Sequence, residues 1–224
     1  MAEKDIILSV KDLEVKFQVR ERVLTAIRNI SFDFERDKVV AIVGESGSGK
    51  SVFTKTFTGM LEVNGTISNG TIMFDGMDLT EKKKDADWLG IRGKRIATVF
   101  QDPMSSLNPI LTIGTQISEV LTKHRGMSAA EAKQEAINLM GKVGIINPEL
   151  RYDDYPFQYS GGMRQRIVIA IALACAPEIL ICDEPTTALD VTIQAQIIRL
   201  IKDLSKEYGF TTIYITHDLG VVAN

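Results

Sequence analysis

Val39-Val40-Ala41-Ile42-Val43-Gly44-Glu45-Ser46-Gly47-Ser48-Gly49-Lys50-Ser51 decides how the rest of the chain is read. Its five leading apolar residues predict a fully buried strand. The eight that follow set a glycine, four residues and then Gly-Lys-Ser, the spacing of a nucleotide phosphate-binding loop. Small residues from Ser46 to Gly49 let the backbone curl so that several N–H groups face one concavity. A helix expected from Lys50 adds its unpaired N–H groups and its dipole, both of which favour an anion. Lys50 is expected to reach the β- and γ-phosphates, and the Ser51 hydroxyl to coordinate Mg²⁺. Chance gives such a match in roughly one chain per hundred of this length. A nucleotide is therefore the expected ligand, with Gly44, Glu45, Ser46, Gly47, Ser48, Gly49, Lys50 and Ser51 as its phosphate cradle.

Bulk properties narrow the class further. The 224 residues are 45% hydrophobic and 25% charged, an ordinary globular composition. A formal net charge of -3 gives no nucleic-acid footprint, and the run Glu81-Lys82-Lys83-Lys84-Asp85 reads as a solvated loop. Cys175 and Cys182 sit in apolar segments and read as buried small hydrophobes, which fits a reducing cytoplasm. The charged N-terminus has no signal-peptide core. The longest apolar run, Ile167 to Ala176, is about half a membrane span, so no transmembrane segment is expected.

Residues 6–19, Phe32 and Phe34, and Ile72 and Phe74 alternate with polar neighbours, predicting a small antiparallel sheet near the N-terminus. In the first of these, Lys11-Asp12-Leu13 interrupts the alternation. Ile96–Phe100, Ile179–Cys182 and Thr211–Thr216 are further strands. Between about Pro103 and Arg166 the texture becomes helical: Ser128-Ala129-Ala130-Glu131 has the form of a capping box, and Gly144 is a plausible stop. Asp190 is expected to cap a helix carrying Ile193, Ile197, Leu200, Ile201 and Leu204 on one face. Buried strands alternating with helices predict a doubly wound parallel α/β core, with ligands at the carboxyl ends of its strands. The expected division is 1–102 for the nucleotide core with its antiparallel part, 103–170 for an inserted helical subdomain, and 171–224 for the remaining core.

Chemistry-bearing residues collect at those strand ends. Asp183 is expected to hold Mg²⁺ and its neighbour Glu184 to orient and deprotonate water. His217 is set to donate to a γ-phosphate, and Gln101 to touch Mg²⁺ or the attacking water. His124 reads as a surface residue. Ser160-Gly161-Gly162 precedes an apolar helix and forms a second anion-favouring N-terminus. One nucleotide has a single γ-phosphate, already served by Lys50, so the second terminus suggests a second chain's nucleotide.

Together these stretches resemble the ATP-binding subunit of ABC transporters over essentially the whole chain. Gly44–Ser51 matches that family's phosphate loop, Gln101 its Q-loop, Ser160-Gly161-Gly162 its signature motif, and Ile179–Asp183 its second nucleotide motif. Glu184 matches the catalytic glutamate, Ala188-Leu189-Asp190 the D-loop, and His217 the switch histidine. Phe17 lies where the family puts an aromatic that stacks on adenine; a phenylalanine of the strand core is the alternative. Phe100-Gln101-Asp102-Pro103-Met104-Ser105-Ser106-Leu107-Asn108-Pro109 and Thr216-His217-Asp218-Leu219-Gly220-Val221-Val222 resemble the oligopeptide, dipeptide and nickel importer subgroup. Tyr159 and Met163 stand where many members carry Leu and Gln. Only seven residues follow His217, where relatives continue, so a truncated chain is expected.

The resemblance implies an ATPase that binds ATP and Mg²⁺ and powers peptide import. It would work from the inner face of the cell membrane, sandwiching ATP with a second ABC ATPase subunit, a paralogue or itself. Transmembrane permease subunits, and indirectly an extracellular or periplasmic substrate-binding protein, would be its partners, with no nucleic acid. An importer of nickel or another small solute, or a soluble ABC ATPase of DNA repair or translation, is the alternative.

Overall fold

The computed structural model describes residues 5–187, 189–218 and 220. Ala188, Leu219, Val221 and Val222 of the motifs above lie outside the described residues, as do residues 1–4. Among the described residues, two four-stranded sheets form the frame. The antiparallel sheet contains β1 (Ile6–Val19), β2 (Arg22–Glu35), β4 (Gly65–Phe74) and β5 (Met77–Asp78), in the order β2-β1-β4-β5. The parallel sheet contains β3 (Val39–Val43), β6 (Ile96–Val99), β7 (Ile179–Asp183) and β8 (Thr211–Thr216), in the order β3-β8-β7-β6.

Period-two patterning decides which face each residue covers. In β7, Ile179 and Ile181 join Ile96, Ile213, Phe53, Phe57 and the apolar face of the antiparallel sheet. Their neighbours Leu180 and Cys182 join Ala97, Val99 and Tyr214 in a second core with the helices on the opposite face. Because both faces are covered, the central strands β7 and β8 read as nearly unbroken apolar or β-branched runs.

The helices are α1 (Lys50–Lys55), α2 (Asp85–Trp88), α3 (Pro103–Ser106), α4 (Ile113–Arg125), α5 (Ala129–Lys142), α6 (Pro148–Arg151), α7 (Gly161–Leu173) and α8 (Val191–Tyr208). Ser128 accepts a hydrogen bond from the Glu131 N–H while the Glu131 carboxylate accepts from the Ser128 N–H, which starts α5 as a capping box. Ile117, Leu121, Ala132, Ala136, Ile167 and Ile197 share one core, so the helical segment is continuous with one face of the parallel sheet through α7 and α8. Among the described residues no helix is long and apolar enough to cross a membrane.

Two expectations need correction. β3 is not fully buried: Val39 is 53% and Val43 37% exposed, and the residues between them are half-buried. It lies at the edge of the parallel sheet, pairing with β8, and an apolar run alone does not tell an edge strand from a central one. Cys182 is buried in β7 as expected, but Cys175, just past α7, is only half-buried.

Candidate functional site

The carboxyl ends of β3, β7 and β8 lie side by side, since β8 pairs with both of the others. The loop leaving β3 turns through Gly47 at φ 80° and Gly49 at φ 94°, a left-handed backbone that glycine adopts without strain. β2 also presses against Gly49, where a Cβ would lie 3.0 Å from the Ala26 carbonyl oxygen. Glu45 to Ser48 are exposed, so the concavity faces solvent. Lys50 is buried, and its Nζ donates to the carbonyls of Gly44 at 2.7 Å and Glu45 at 2.8 Å. The ammonium is thereby held inside the loop, at the mouth of α1.

Ser51 Oγ donates to Asp183 Oδ1 at 2.9 Å, although 132 positions separate the two residues. Burial pushes the Asp183 carboxyl above its ordinary range; the Ser51 hydrogen bond opposes this, while Glu184 beside it adds to it. A hydroxyl and a carboxylate oxygen side by side form a hard donor set, the chemistry that suits Mg²⁺.

Glu184 continues from β7 with φ 48°, a conformation uncommon for a residue with a side chain. Its N–H donates to the Ile215 carbonyl, tying it to β8. Its Oε2 accepts from Thr187 Oγ1 at 3.1 Å and lies 3.2 Å from His217 Nδ1, at the end of β8. Backbone strain of this kind, held in place by such contacts, is characteristic of functional positions. Sequence reasoning named Glu184 and His217 but gave Thr187, between Glu184 and Ala188-Leu189-Asp190, no role.

Not every predicted residue converges on this point. Gln101 follows β6 with an exposed side chain, on the strand beyond β7. Phe17 is half-buried in β1, where a Cβ on Gly65 would come within 2.6 Å of its ring. Ser160 caps α7 by accepting from the Met163 N–H, and Ser160 and Gly161 are exposed. Asp190 caps α8 by accepting from the Ile193 N–H at 3.0 Å. These residues sit on elements other than the phosphate loop.

The profile described as ABC transporter matches residues 27–187, nearly three quarters of the chain. The chain belongs to the ABC transporter family. Among curated relatives, it is 65% identical to the oligopeptide transport ATP-binding protein AmiE of Streptococcus pneumoniae, over 99% of this chain and 62% of that protein. It is 54% identical to the dipeptide transport ATP-binding protein DppD of Lactococcus lactis, over 100% of this chain and 64% of that protein. The chain thus spans less than two thirds of the length of these relatives. A solved dimeric post-hydrolysis state of the ATP-binding cassette MJ0796, bound to ADP and Pi, superposes with a TM-score of 0.82 at 30% identity, covering 96% of this chain and 89% of that one.

Two departures from the common ABC signature have local explanations. Tyr159 is buried, and its hydroxyl donates to the Arg151 carbonyl at 2.6 Å, which ties the signature stretch to the end of α6. Burial pushes its phenol up to about 12, so the hydroxyl stays a donor at any ordinary pH. Met163 packs against the helical core.

Proposed function

We propose that this chain is the ATP-hydrolysing part of a subunit that dimerises around ATP to drive import of oligopeptides or dipeptides through a membrane channel. The observation that carries the catalytic half of this reading is the pair of contacts Ser51–Asp183 and His217–Glu184 at neighbouring strand ends beside Lys50. The peptide cargo rests on the relatives' descriptions as oligopeptide and dipeptide transport ATP-binding proteins.

In this reading Gly44–Ser51 holds the phosphates and Lys50 leaves its own loop carbonyls to reach the β- and γ-phosphates. Ser51 and Asp183 would hold Mg²⁺, and Gln101, which stands apart from them on its own strand end, would have to swing inward to add a further oxygen; bound there, the ion would neutralise charge on the phosphates. Glu184 orients and deprotonates the attacking water, and His217 holds Glu184 and donates to the γ-phosphate. Phe17 stacks on the base. Ser160-Gly161-Gly162 and Asp190 act on the nucleotide held by a second ABC ATPase subunit placed head to tail, a reading supported by the dimeric state of the solved cassette. We divide the chain into a core with its antiparallel part (1–102), a helical subdomain (103–170) and a remaining core segment (171–224).

The groove between the parallel sheet and the helical segment, about 390 Å³ and lined by Phe100, Ser105, Val120, His124 and Ile171, is the surface we assign to a permease subunit at the inner face of the membrane. It adjoins Gln101, so a partner seated there would feel changes at the nucleotide. The test is ATP hydrolysis and peptide uptake by the complete protein with its copurified membrane partners. Glu184→Gln should lower kcat by about 100-fold or more while ATP still binds, the loss expected on removing a general base. Unchanged turnover would remove Glu184 from the mechanism. Recovery of exporter-type partners, or stimulation by nucleic acid without membrane partners, would overturn the importer reading.

A further inference from the structure

Gln194 lies one turn into α8, and its side-chain amide donates two hydrogen bonds. One goes to the Thr186 carbonyl and the other to the Leu189 carbonyl, each at 3.0 Å. A single amide therefore holds two carbonyls of the segment that joins Glu184 to the cap of α8.

That segment touches functional residues on two sides. On one, Thr187 Oγ1 donates to Glu184 Oε2 at 3.1 Å, the same oxygen that faces His217. On the other, a Cβ on Gly161 would meet Leu189 Cδ2 at 3.5 Å; just past the segment, in α8, Ile193 Cγ2 would lie 2.7 Å from a Cβ on Gly162. Glu184 itself holds a left-handed backbone, so its carboxylate depends on the segment after it for its direction.

We propose that Gln194 is a positioning residue for hydrolysis: it clamps the segment after Glu184, which aims the Glu184 carboxylate and seats Leu189 against Gly161 of the same chain. The proposal rests on the reading of Glu184 as the base. The required chemistry is donation to two carbonyl oxygens. Methionine has nearly the same length and no donor, glutamate has the same shape and sets an acceptor against two acceptors, and lysine restores donors.

In the complete protein, Gln194→Met and Gln194→Glu should each lower kcat for ATP hydrolysis by about tenfold or more, the scale of loss when a catalytic group is misplaced by an ångström or so. KM and the affinity for a fluorescent ATP analogue should stay within about twofold, because the phosphate loop lies on another element. Gln194→Lys should recover most of the lost turnover. Equal turnover in the Lys and Met variants overturns the clamp, as does a fall in ATP affinity that matches the fall in kcat. If Gln194→Glu does not fold, the Lys and Met pair still decides. Glu184→Gln, run alongside, separates the two readings: if it hydrolyses normally, the assignment of the base fails. If it is inactive while Lys and Met are alike, only the clamp fails.

Discussion

Replacing Lys50 by methionine keeps the length of the side chain and removes the ammonium that donates to the Gly44 and Glu45 carbonyls. The loop backbone keeps its left-handed glycines, so the cradle retains its shape while losing its one buried cation. A charge-assisted hydrogen bond contributes about 1.5–3 kcal/mol, and ATP affinity should therefore drop by roughly 10- to 150-fold. Titration with a fluorescent ATP analogue reads this directly; unchanged affinity would mean that the lysine serves the loop and not the ligand. At this scale the sequence was legible wherever chemistry is packed into a short stretch, as in Gly44–Ser51 or Asp183-Glu184. It was silent on groups that act through folded contacts. Thr187 and Gln194 are ordinary polar residues until the chain brings them to Glu184 and to two carbonyls.

Among the elements, the alternation of β1 carried more information than its strand assignment. Leu8 and Val10 are buried on even positions, and Leu13 and Val15 on odd ones, so one extra residue lies between them. The pairing of β1 shifts register there with both neighbours, and Asp12 takes φ 50°. This β-bulge keeps the apolar set on one face despite the change of parity. Gly70 on β4 accommodates it: its φ is 91°, and a Cβ would lie 2.4 Å from the Lys11 carbonyl oxygen and 2.6 Å from the Asp12 backbone. Gly70→Ala should therefore cost roughly 2–4 kcal/mol in chemical denaturation, combining a left-handed penalty with an overpacked contact. A loss below about 0.5 kcal/mol, the range of ordinary surface changes, would show that the bulge relaxes freely. The misjudged burial of β3 has the opposite origin. Its composition is that of a central strand, but exposure depends on what lies beside it in the sheet, and no local pattern encodes that.

For the whole molecule, the long-range question is what joins the two sheets at the end away from the site. Arg36 and Asp75 follow β2 and β4 of the antiparallel sheet, while Arg95 and Glu178 precede β6 and β7 of the parallel one. Arg36 donates to Glu178 at 3.3 Å and to Asp75 at 3.0 Å; Arg95 donates to Asp75 at 2.5 Å, pairs with Glu178, and lies over the Phe74 ring. The joint is at the amino ends of the parallel strands, opposite the nucleotide loop. The partners are as much as 142 positions apart, which is why the sequence shows only scattered charges. Asp75 is the informative one to change, because with Gly76 it forms the turn between β4 and β5 at φ 47° and 80°. Asparagine tolerates that conformation, so Asp75→Asn removes the charge and keeps the hairpin. The Arg95 guanidinium, aided by Arg36, holds the Asp75 carboxyl below its ordinary range. A carboxylate with a lowered folded-state pKa contributes its full stability above the unfolded value, near 3.9, and loses it as pH falls through the folded value. Asp75→Asn should therefore melt below the parent at pH 7, and the gap should close as the pH is taken below about 4, the window in which the unfolded carboxylate protonates first. ATP hydrolysis at pH 7 should match the parent at a temperature where both are folded. A melting gap that stays constant into acid would show that the variant acts through the turn rather than through the charge. A loss of turnover without a loss of stability would show that the joint transmits to the site.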